Sequence, residues 1–405
     1  MPDALSDLRV IELAQFIPGP YCGKLLADLG ADVIKIEPPR FGDVARRHGP
    51  FPNDVPHPER SGLFLYLNTS KRGMTLDIAS PTGSRILGQL LQKADVLVTD
   101  HTPAQARRLG LPPSLLRRTN PRLVLTSVTY FGWTGPYREY RGCDLIAWQA
   151  SGKGYYTPEG INDPMKEGPL KPGGHQADFM GGVTAAVATL GAVQHRWLTS
   201  KGQHVDVSVR EAVTTAGFAF PLGYFYAGRL PSRLGESAGA IGAAMGLIRC
   251  SNGLMQLSTM EDRQWQALVQ ALGSPEWTKD ARFKDNMSRG ANWDVIRENT
   301  EVWTRNKTKE EAAGLIQAYR VPAMPVNTAA DILASEHLKA RDYLVDIAHP
   351  QVGTVRYPGP PYRFSATPAA LRRPAPLLGQ HTRDVLTEMG YSREETILLY
   401  QAGVV

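Results

Sequence analysis

The sequence predicts an α/β protein with three parts. A large domain on a parallel sheet spans residues 1–228, a smaller α+β domain spans 229–325, and a C-terminal segment, 326–405, returns to the large domain. Three observations carry this expectation. Short apolar runs alternate with stretches of helical spacing from residue 8 to residue 128, the pattern of parallel strands joined by crossover helices. Beyond residue 228 the pattern changes to a hairpin followed by helices. The tail is rich in proline, and no internal repeat or low-complexity segment interrupts the chain.

Taken in order, Leu8–Leu13 reads as a first strand, Pro18-Gly19-Pro20 as a break, and Tyr21–Leu29 as a helix ended by Gly30. A second strand covers Asp32–Glu37. Strand Met74–Ile78, helix Pro81–Gln92, strand Val96–Thr99, helix Pro103–Leu109 and strand Leu123–Val128 repeat the alternation. The Pro/Gly-rich stretch Pro38–Ser61 is too polar and broken to be an element, and loops of that length in compact domains are often functional. A long small-residue helix is expected over Val183–Trp197, then strand His204–Ser208 and helix Arg210–Tyr226. Gly228–Gly246 reads as a mobile loop. Ser251-Asn252-Gly253 between two apolar runs is a strong hairpin signal, and helices follow over Asp262–Leu272, Asn292–Thr304 and Lys309–Ala318. Pro358–Pro376 reads as extended chain that wraps.

Composition bounds the function. At 405 residues, 42% hydrophobic and 21% charged, the chain can bury a large core. Its net charge of +6 favours an anionic partner. The basic residues are scattered and sit beside acids, without interleaved aromatics, which points to a small polyanion and not to nucleic acid. Cys22, Cys143 and Cys250 are too far apart for a disulfide framework or a zinc site, so a reducing cytoplasm fits best. The dispersed histidines lack metal-ligand spacing, and no metal is expected. The start lacks a secretory signal, and the longest uncharged stretch, Phe179–Gln194, is too short and glycine-rich for a membrane span.

Gly174–Gly182 is the most informative segment, because it sets Asp178 directly before the long helix. As an N-cap, Asp178 would face backbone N–H donors and the positive end of the helix dipole, which hold a carboxylate ionised and oriented. Two readings stand: a helix cap, or a nucleophile able to attack an activated acyl carbon. Gly181-Gly182 in the first turn costs roughly 1 kcal/mol per residue relative to alanine, so something must approach the backbone there. The first strand–turn–helix lacks the G-x-G-x-x-G spacing of dinucleotide sites, although Glu37 ends a second strand where a ribose-binding acid would sit. A nicotinamide enzyme is therefore disfavoured, and Glu37 reads as a strand-end surface residue.

Several segments in order resemble the family III CoA-transferases, a group related to α-methylacyl-CoA racemase. They are Ala14–Pro20, Leu25–Glu37, Gly42-Asp43, Asn68–Gly73, Lys93–Val98, Asn120–Val124 and Ala177-Asp178. The resemblance implies a Rossmann-like large domain and an interlocked dimer, either a homodimer or a heteromer with a paralogous subunit. It implies no tightly bound cofactor, with a CoA thioester and a carboxylic acid as substrates. Asp178 would be the nucleophile, passing through an aspartyl anhydride and an aspartyl-CoA thioester. The implied CoA contacts are Phe16, Ile17, Arg40, Lys71, Arg72, Asp100, His101, Arg108, Leu109 and Arg141, with Lys71 and Arg108 suited to phosphate. Asp100-His101 replaces an Asn-Phe pair common in the family, which suits adenine or pantetheine better than phosphate.

Two alternatives follow from the same resemblance. The related racemases pair their aspartate with a histidine in a Gly-His-Asp segment, whereas here the segment reads Gly142-Cys143-Asp144, and cysteine is a poor second base near neutrality. Transferase is therefore favoured. A CoA-binding subunit without chemistry of its own is the other alternative, and the presence of Asp178 argues against it. The loop 235–242 stands where the family closes a glycine loop over the intermediate. Trp133, Tyr137, Tyr140, Trp148, Tyr155 and Tyr156 hint at a bulky or aromatic acyl group, with succinyl-CoA as a donor.

Overall fold

A computed structural model describes residues 3–158, 161–217, 219–228, 230, 233 and 244–405. The expected glycine loop 235–242 lies outside the described residues. The chain divides into two compact units, one of residues 1–154, 171–226 and 339–405, the other of residues 155–170 and 227–338. The stretch 155–170, expected in the large domain, joins the second unit because its backbone pairs there. Ile161 N–H donates to the Arg233 carbonyl at 3.0 Å, and the Arg233 guanidinium donates to the Glu167 carbonyl at 2.9 Å.

In the large unit the elements run β1 (Arg9–Leu13), α1 (Pro18–Asp28), β2 (Asp32–Glu37), α2 (Gly62–Leu67), β3 (Arg72–Thr75), α3 (Pro81–Gln92), β4 (Val96–Thr99), α4 (Pro103–Arg108), α5 (Pro113–Thr119) and β5 (Val124–Thr129). They continue with α6 (Asp144–Ala150), α7 (Gln176–Thr199), β6 (His204–Ser208), α8 (Val209–Ala216) and α9 (Ala219–Ala227). The six strands are parallel in the order β3-β2-β1-β4-β5-β6, the order of dinucleotide-binding folds. Their residues alternate between two cores, as parallel strands covered on both faces must. Val10, Val98 and Val124 pack with α1 and α7, while Ile11, Leu97 and Leu125 pack with α3, α5 and the chain's C-terminal Val404 and Val405.

Some expected boundaries move, each for a local reason. Pro18-Gly19-Pro20 is the first turn of α1 and not a break, because proline's missing N–H is harmless at a helix start. The single helix expected over Arg210–Tyr226 is two, α8 and α9. The loop Pro38–Ser61 holds two short 3₁₀ turns, Val44–Arg47 and Pro52–Asp54. The extended tail docks through its backbone: Ser70 N–H donates to the Arg373 carbonyl and Asp77 N–H to the Val404 carbonyl. A second sheet in this unit is the hairpin β10 (Leu344–His349) and β11 (Gly353–Pro358).

The second unit carries the three-stranded antiparallel sheet β7 (Ala244–Cys250), β8 (Gly253–Thr259) and β9 (Ala323–Pro325), with the expected hairpin turn at Ser251-Asn252. Helices Asp262–Ala271, Trp293–Thr304 and Lys309–Gln317 supply Trp265, Leu268, Trp293, Ile296 and Ile316 to its core. No helix among the described residues is long and apolar enough to cross a membrane.

Candidate active site

Strand order reverses between β1 and β4, and in open parallel sheets ligands enter the crevice outside the carboxyl ends of such a pair. Here the two loops that leave β1 and β4 are stitched together, the Gln15 N–H donating to Asp100 Oδ2 at 2.9 Å. The next residue, Phe16, takes a left-handed backbone with φ of 65°, a costly conformation for a bulky side chain. Asp43 holds it there by accepting the Phe16 N–H at 2.9 Å. Phe16, Asp100, His101, Arg108, Tyr130 and Arg141 are among the walls of the resulting cleft, whose volume is about 660 Å³. A Phe131, Tyr137 and Tyr140 cluster, with the last two rings stacked at 4.9 Å, borders the same mouth.

Beneath the cleft floor lies a fully buried charge network. The Lys35 ammonium pairs with Glu12 at 2.9 Å and Asp43 at 2.7 Å, and donates to the Ala14 carbonyl at 3.0 Å. Lys71 pairs with the other Glu12 oxygen at 2.8 Å and donates to the Pro20 carbonyl at 2.7 Å and Asn68 Oδ1 at 2.8 Å. Burial pulls the Lys71 ammonium down to about 8, against the pull of Glu12, while Asp43 and Glu12 outweigh burial at Lys35 and raise it. Glu37, expected at the surface, is buried and holds Arg46 through two bonds of 2.7 and 2.8 Å. It has no oxygen left for a ribose, which agrees with the missing glycine fingerprint.

Asp178 lies behind the cleft lining, bonded to Tyr130. It is not the N-cap: His175 holds that position, with no capping bond from its side chain, and Asp178 lies in the first turn of α7. The cap comes from outside the helix, since Asp144 Oδ1 accepts the N–H groups of Ala177 at 2.8 Å and Asp178 at 3.2 Å. The Lys171 ammonium pairs with Asp144 Oδ2 at 2.9 Å. Asp178 itself is fully buried, and its Oδ1 accepts the Tyr130 hydroxyl at 3.0 Å. Its Oδ2 has no hydrogen-bond donor and faces His175 Nδ1 at 3.3 Å without the alignment of a bond. Burial first, and the Asp144 charge second, push the Asp178 carboxyl up to about 7. Burial lowers the neighbouring His175 imidazole, which favours its neutral form.

The glycine pair next to Asp178 answers to packing. A Cβ on Gly181 would stand 2.7 Å from the Val209 side chain, and one on Gly182 would stand 2.7 Å from the Pro18 carbonyl oxygen. The close approach is that of α1 and the start of α8, which clamp the first turns of α7. Asp144, His175 and Asp178 offer ligand atoms within 4.8 Å of one another, a spacing a metal ion could use. Asp144 already has both oxygens engaged, by two amides and by Lys171.

Of the residues singled out from sequence, Phe16, Asp100, His101, Arg108 and Arg141 meet at one cleft, and Leu109 lines an adjoining one of similar volume with His101 and Arg108. Ile17 is fully buried at the start of α1, so its side chain does not reach the cleft wall. The assignment of Lys71 to phosphate does not fit its position, because its ammonium has no exposed surface and three protein partners. Arg72 is likewise engaged, by Asp32 through bonds of 2.9 and 2.6 Å and by Glu388 at 2.6 Å. Arg40 is exposed in the turn after β2. Trp148 lies in the core, away from the mouth. Sequence reasoning missed Tyr130 and Lys171. Tyr130 directly follows a parallel strand, the one local signal that could have flagged it.

The model of CoA-transferase family III matches residues 5–382. The chain is 32% identical to the succinate–glutarate CoA-transferase of Agrobacterium fabrum, over 95% of each chain. It is 33% identical to the succinyl-CoA:(R)-benzylsuccinate CoA-transferase subunit BbsE of Thauera aromatica, over 100% of this chain and 99% of that one. Among solved structures, a CAIB/BAIF family protein from Brucella suis superposes with a TM-score of 0.85 at 30% identity, over 96% of this chain and 100% of that one.

Proposed function

The chain belongs to CoA-transferase family III, and from that membership we propose that it moves CoA from an acyl-CoA donor to a carboxylic acid by covalent catalysis at Asp178. One observation carries the reading: a fully buried carboxylate stands behind the mouth of the switch-point cleft with one oxygen left without a donor. Such an oxygen keeps its lone pairs for attack on the thioester carbon, which expels CoA thiolate and leaves a mixed anhydride. The anhydride retains the thioester free energy, so thiolate can attack it again and give an aspartyl-CoA thioester. The acceptor carboxylate then reverses the sequence. Burial also keeps water from the anhydride.

Arg108 and Arg141, exposed at the cleft, are the cations suited to CoA phosphates, with Phe16 and His101 beside the pantetheine or adenine. Succinyl-CoA is the donor we favour, because succinate or succinyl-CoA stands in the names of several relatives. The Phe131, Tyr137 and Tyr140 cluster is compatible with a bulky acyl group on the acceptor. Two relatives are named as subunits. Val187, Leu198, Phe225 and Tyr226 expose large apolar surface in the large unit, which supports an interface with a second copy or a paralogue.

Racemisation is the weaker reading. It needs two bases on opposite faces of an α-carbon, but the only histidine beside Asp178 among the described residues is in contact with it, and Cys143 stands where a second base would be. The test is chemical. After exposure to donor acyl-CoA, borohydride should reduce the aspartyl thioester to an alcohol that mass spectrometry finds at residue 178. Asp178→Asn should bind CoA as wild type does yet lose turnover by more than about 10⁴-fold, some 5 kcal/mol in barrier. Exchange by Asp178→Asn within tenfold of wild type would sink the proposal.

A further inference from the structure

The two oxygens of Asp178 are not equivalent, and the difference assigns a role to Tyr130 that rests on the proposed chemistry at Asp178. Oδ1 accepts the Tyr130 hydroxyl at 3.0 Å, whereas Oδ2 has no donor. The tyrosine is fixed in this pose. Its backbone carbonyl accepts the Arg210 N–H at 3.1 Å, and its ring lies so close to Gly142 that a Cβ there would stand 2.4 Å from the ring carbon Cγ. Tyr130 also lines the cleft, so it links the cleft wall to the buried carboxylate. The sequence gives no local hint of this pairing, since 48 positions separate the two residues.

We propose that Tyr130 is a catalytic residue, the hydrogen-bond donor to the oxyanion that forms on Asp178 Oδ1 when CoA thiolate attacks the aspartyl anhydride. In the first step Oδ2, the oxygen without a donor, attacks the thioester carbon. The Oδ2–acyl bond forms, the acyl–sulfur bond breaks, and thiolate leaves with the electron pair. Oδ1 thereby becomes the carbonyl oxygen of the anhydride and keeps its place before the Tyr130 hydroxyl. In the second step thiolate adds to Asp178 Cγ, and the carbonyl electron pair moves to Oδ1. The oxyanion collapses, breaking the Cγ–Oδ2 bond, and Oδ2 leaves in the donor's carboxylate. No proton is transferred. The Tyr130 bond changes from a neutral carbonyl acceptor to an anionic one, so it strengthens in the transition state and lowers that barrier. Burial and the Asp178 charge raise the Tyr130 hydroxyl above its ordinary range, which keeps it a donor at any working pH.

Tyr130→Phe tests the assignment. It keeps the ring against Gly142 and removes only the hydroxyl. The readout is the single-turnover rate at which borohydride-reducible thioester appears at residue 178, together with CoA affinity and thermal melting. The expected result is a thioester rate lower by about a hundredfold or more, the scale of one oxyanion donor, with CoA affinity unchanged. A loss of less than tenfold overturns the role of Tyr130. If Tyr130→Phe fails to fold, 3-fluorotyrosine at position 130 replaces it: a more acidic hydroxyl should speed thioester formation, and an unchanged or slower rate overturns the proposal. Failure here is separable from failure of the nucleophile. Near-normal Tyr130→Phe beside inactive Asp178→Asn removes only the tyrosine's role, while an active Asp178→Asn removes the chemistry beneath it.

Discussion

Two buried carboxylate clusters flank one cleft and differ in how their charge is compensated. Under the floor, Glu12 and Asp43 face the ammonium groups of Lys35 and Lys71 at 2.7 to 2.9 Å, and backbone groups complete the shell. Behind Tyr130, Asp178 has a like charge, Asp144, as its neighbour, and Lys171, the one cation nearby among the described residues, pairs with Asp144 instead. The first cluster is compensated by charge and structural: Glu12 Oε2 and Asp43 Oδ2 lack an aligned donor, as Asp178 Oδ2 does, but an ammonium stands 2.8 Å from the one and 2.7 Å from the other. The second leaves one carboxylate partly uncompensated, its ionisation pushed into the neutral range, which is how sites prepare a reactive group. Burial alone therefore marks no functional residue; incomplete compensation of a buried group does.

The largest expected effect tests the structural half of that contrast. Lys35→Met keeps the side-chain length and strands Glu12 and Asp43 without the cation they share. Breaking a buried pair costs about 3–5 kcal/mol, so unfolding in urea should show a loss of that size. The Phe16 turn, held by Asp43, should loosen with it, and CoA affinity should fall. A loss below about 1 kcal/mol, the scale of an exposed pair, would mean that the network is not held by its paired charges.

The second effect belongs to Asp178 and depends on pH. Unfolded, its carboxyl titrates near 3.9; folded, it does so at about 7. Between the two the folded protein keeps a proton that the unfolded chain has lost. The stability tied to that proton is fully present below the unfolded value and is lost as pH rises through the folded one. A gap of about three units corresponds to roughly 4 kcal/mol. Asp178→Asn does not titrate, so its stability relative to wild type should climb by a few kcal/mol from about pH 4 to about pH 8. In the proposed mechanism the nucleophile is the Asp178 anion, so kcat/KM should rise to a plateau above about pH 7. A pH-independent stability difference would make Asp178 an ordinary carboxylate and erase the contrast between the clusters.

The parallel sheet was legible because its signal is local: apolar runs and their punctuation lie within a few residues of each other, and β2, α3, β4 and β6 match their expected spans. The neighbourhood of Asp178 was legible for the same reason, through the segment Gly174–Gly182. Its partners were not. Asp144, Tyr130 and Lys171 reach it from separate stretches of chain, and a cap that arrives from another helix leaves no capping pattern in the sequence. Lys71 shows the converse. A lysine in a basic segment suits phosphate on its chemistry, but only the fold reveals that β1 brings Glu12 against it. The pairing of β1 with β4, which creates the cleft, is likewise topology that no local pattern encodes.

The smallest effect separates the two causes acting on Asp178. Asp144→Asn keeps an oxygen that can accept the Ala177 and Asp178 N–H groups, so the start of α7 should stay capped. It removes the like charge, and it leaves Lys171 without its carboxylate and nearer in effect to Asp178. Both changes favour the Asp178 anion. The acid limb of kcat/KM should therefore move to lower pH while remaining above the ordinary carboxylate range, because burial, the larger cause, persists. Melting should change little. Asp144→Ala removes the charge and the cap together, so it should shift the limb in the same direction and also cost about 1 kcal/mol of stability. If both variants left the limb where wild type has it, burial alone would set the Asp178 ionisation, and Asp144 would be a helix cap that happens to carry charge.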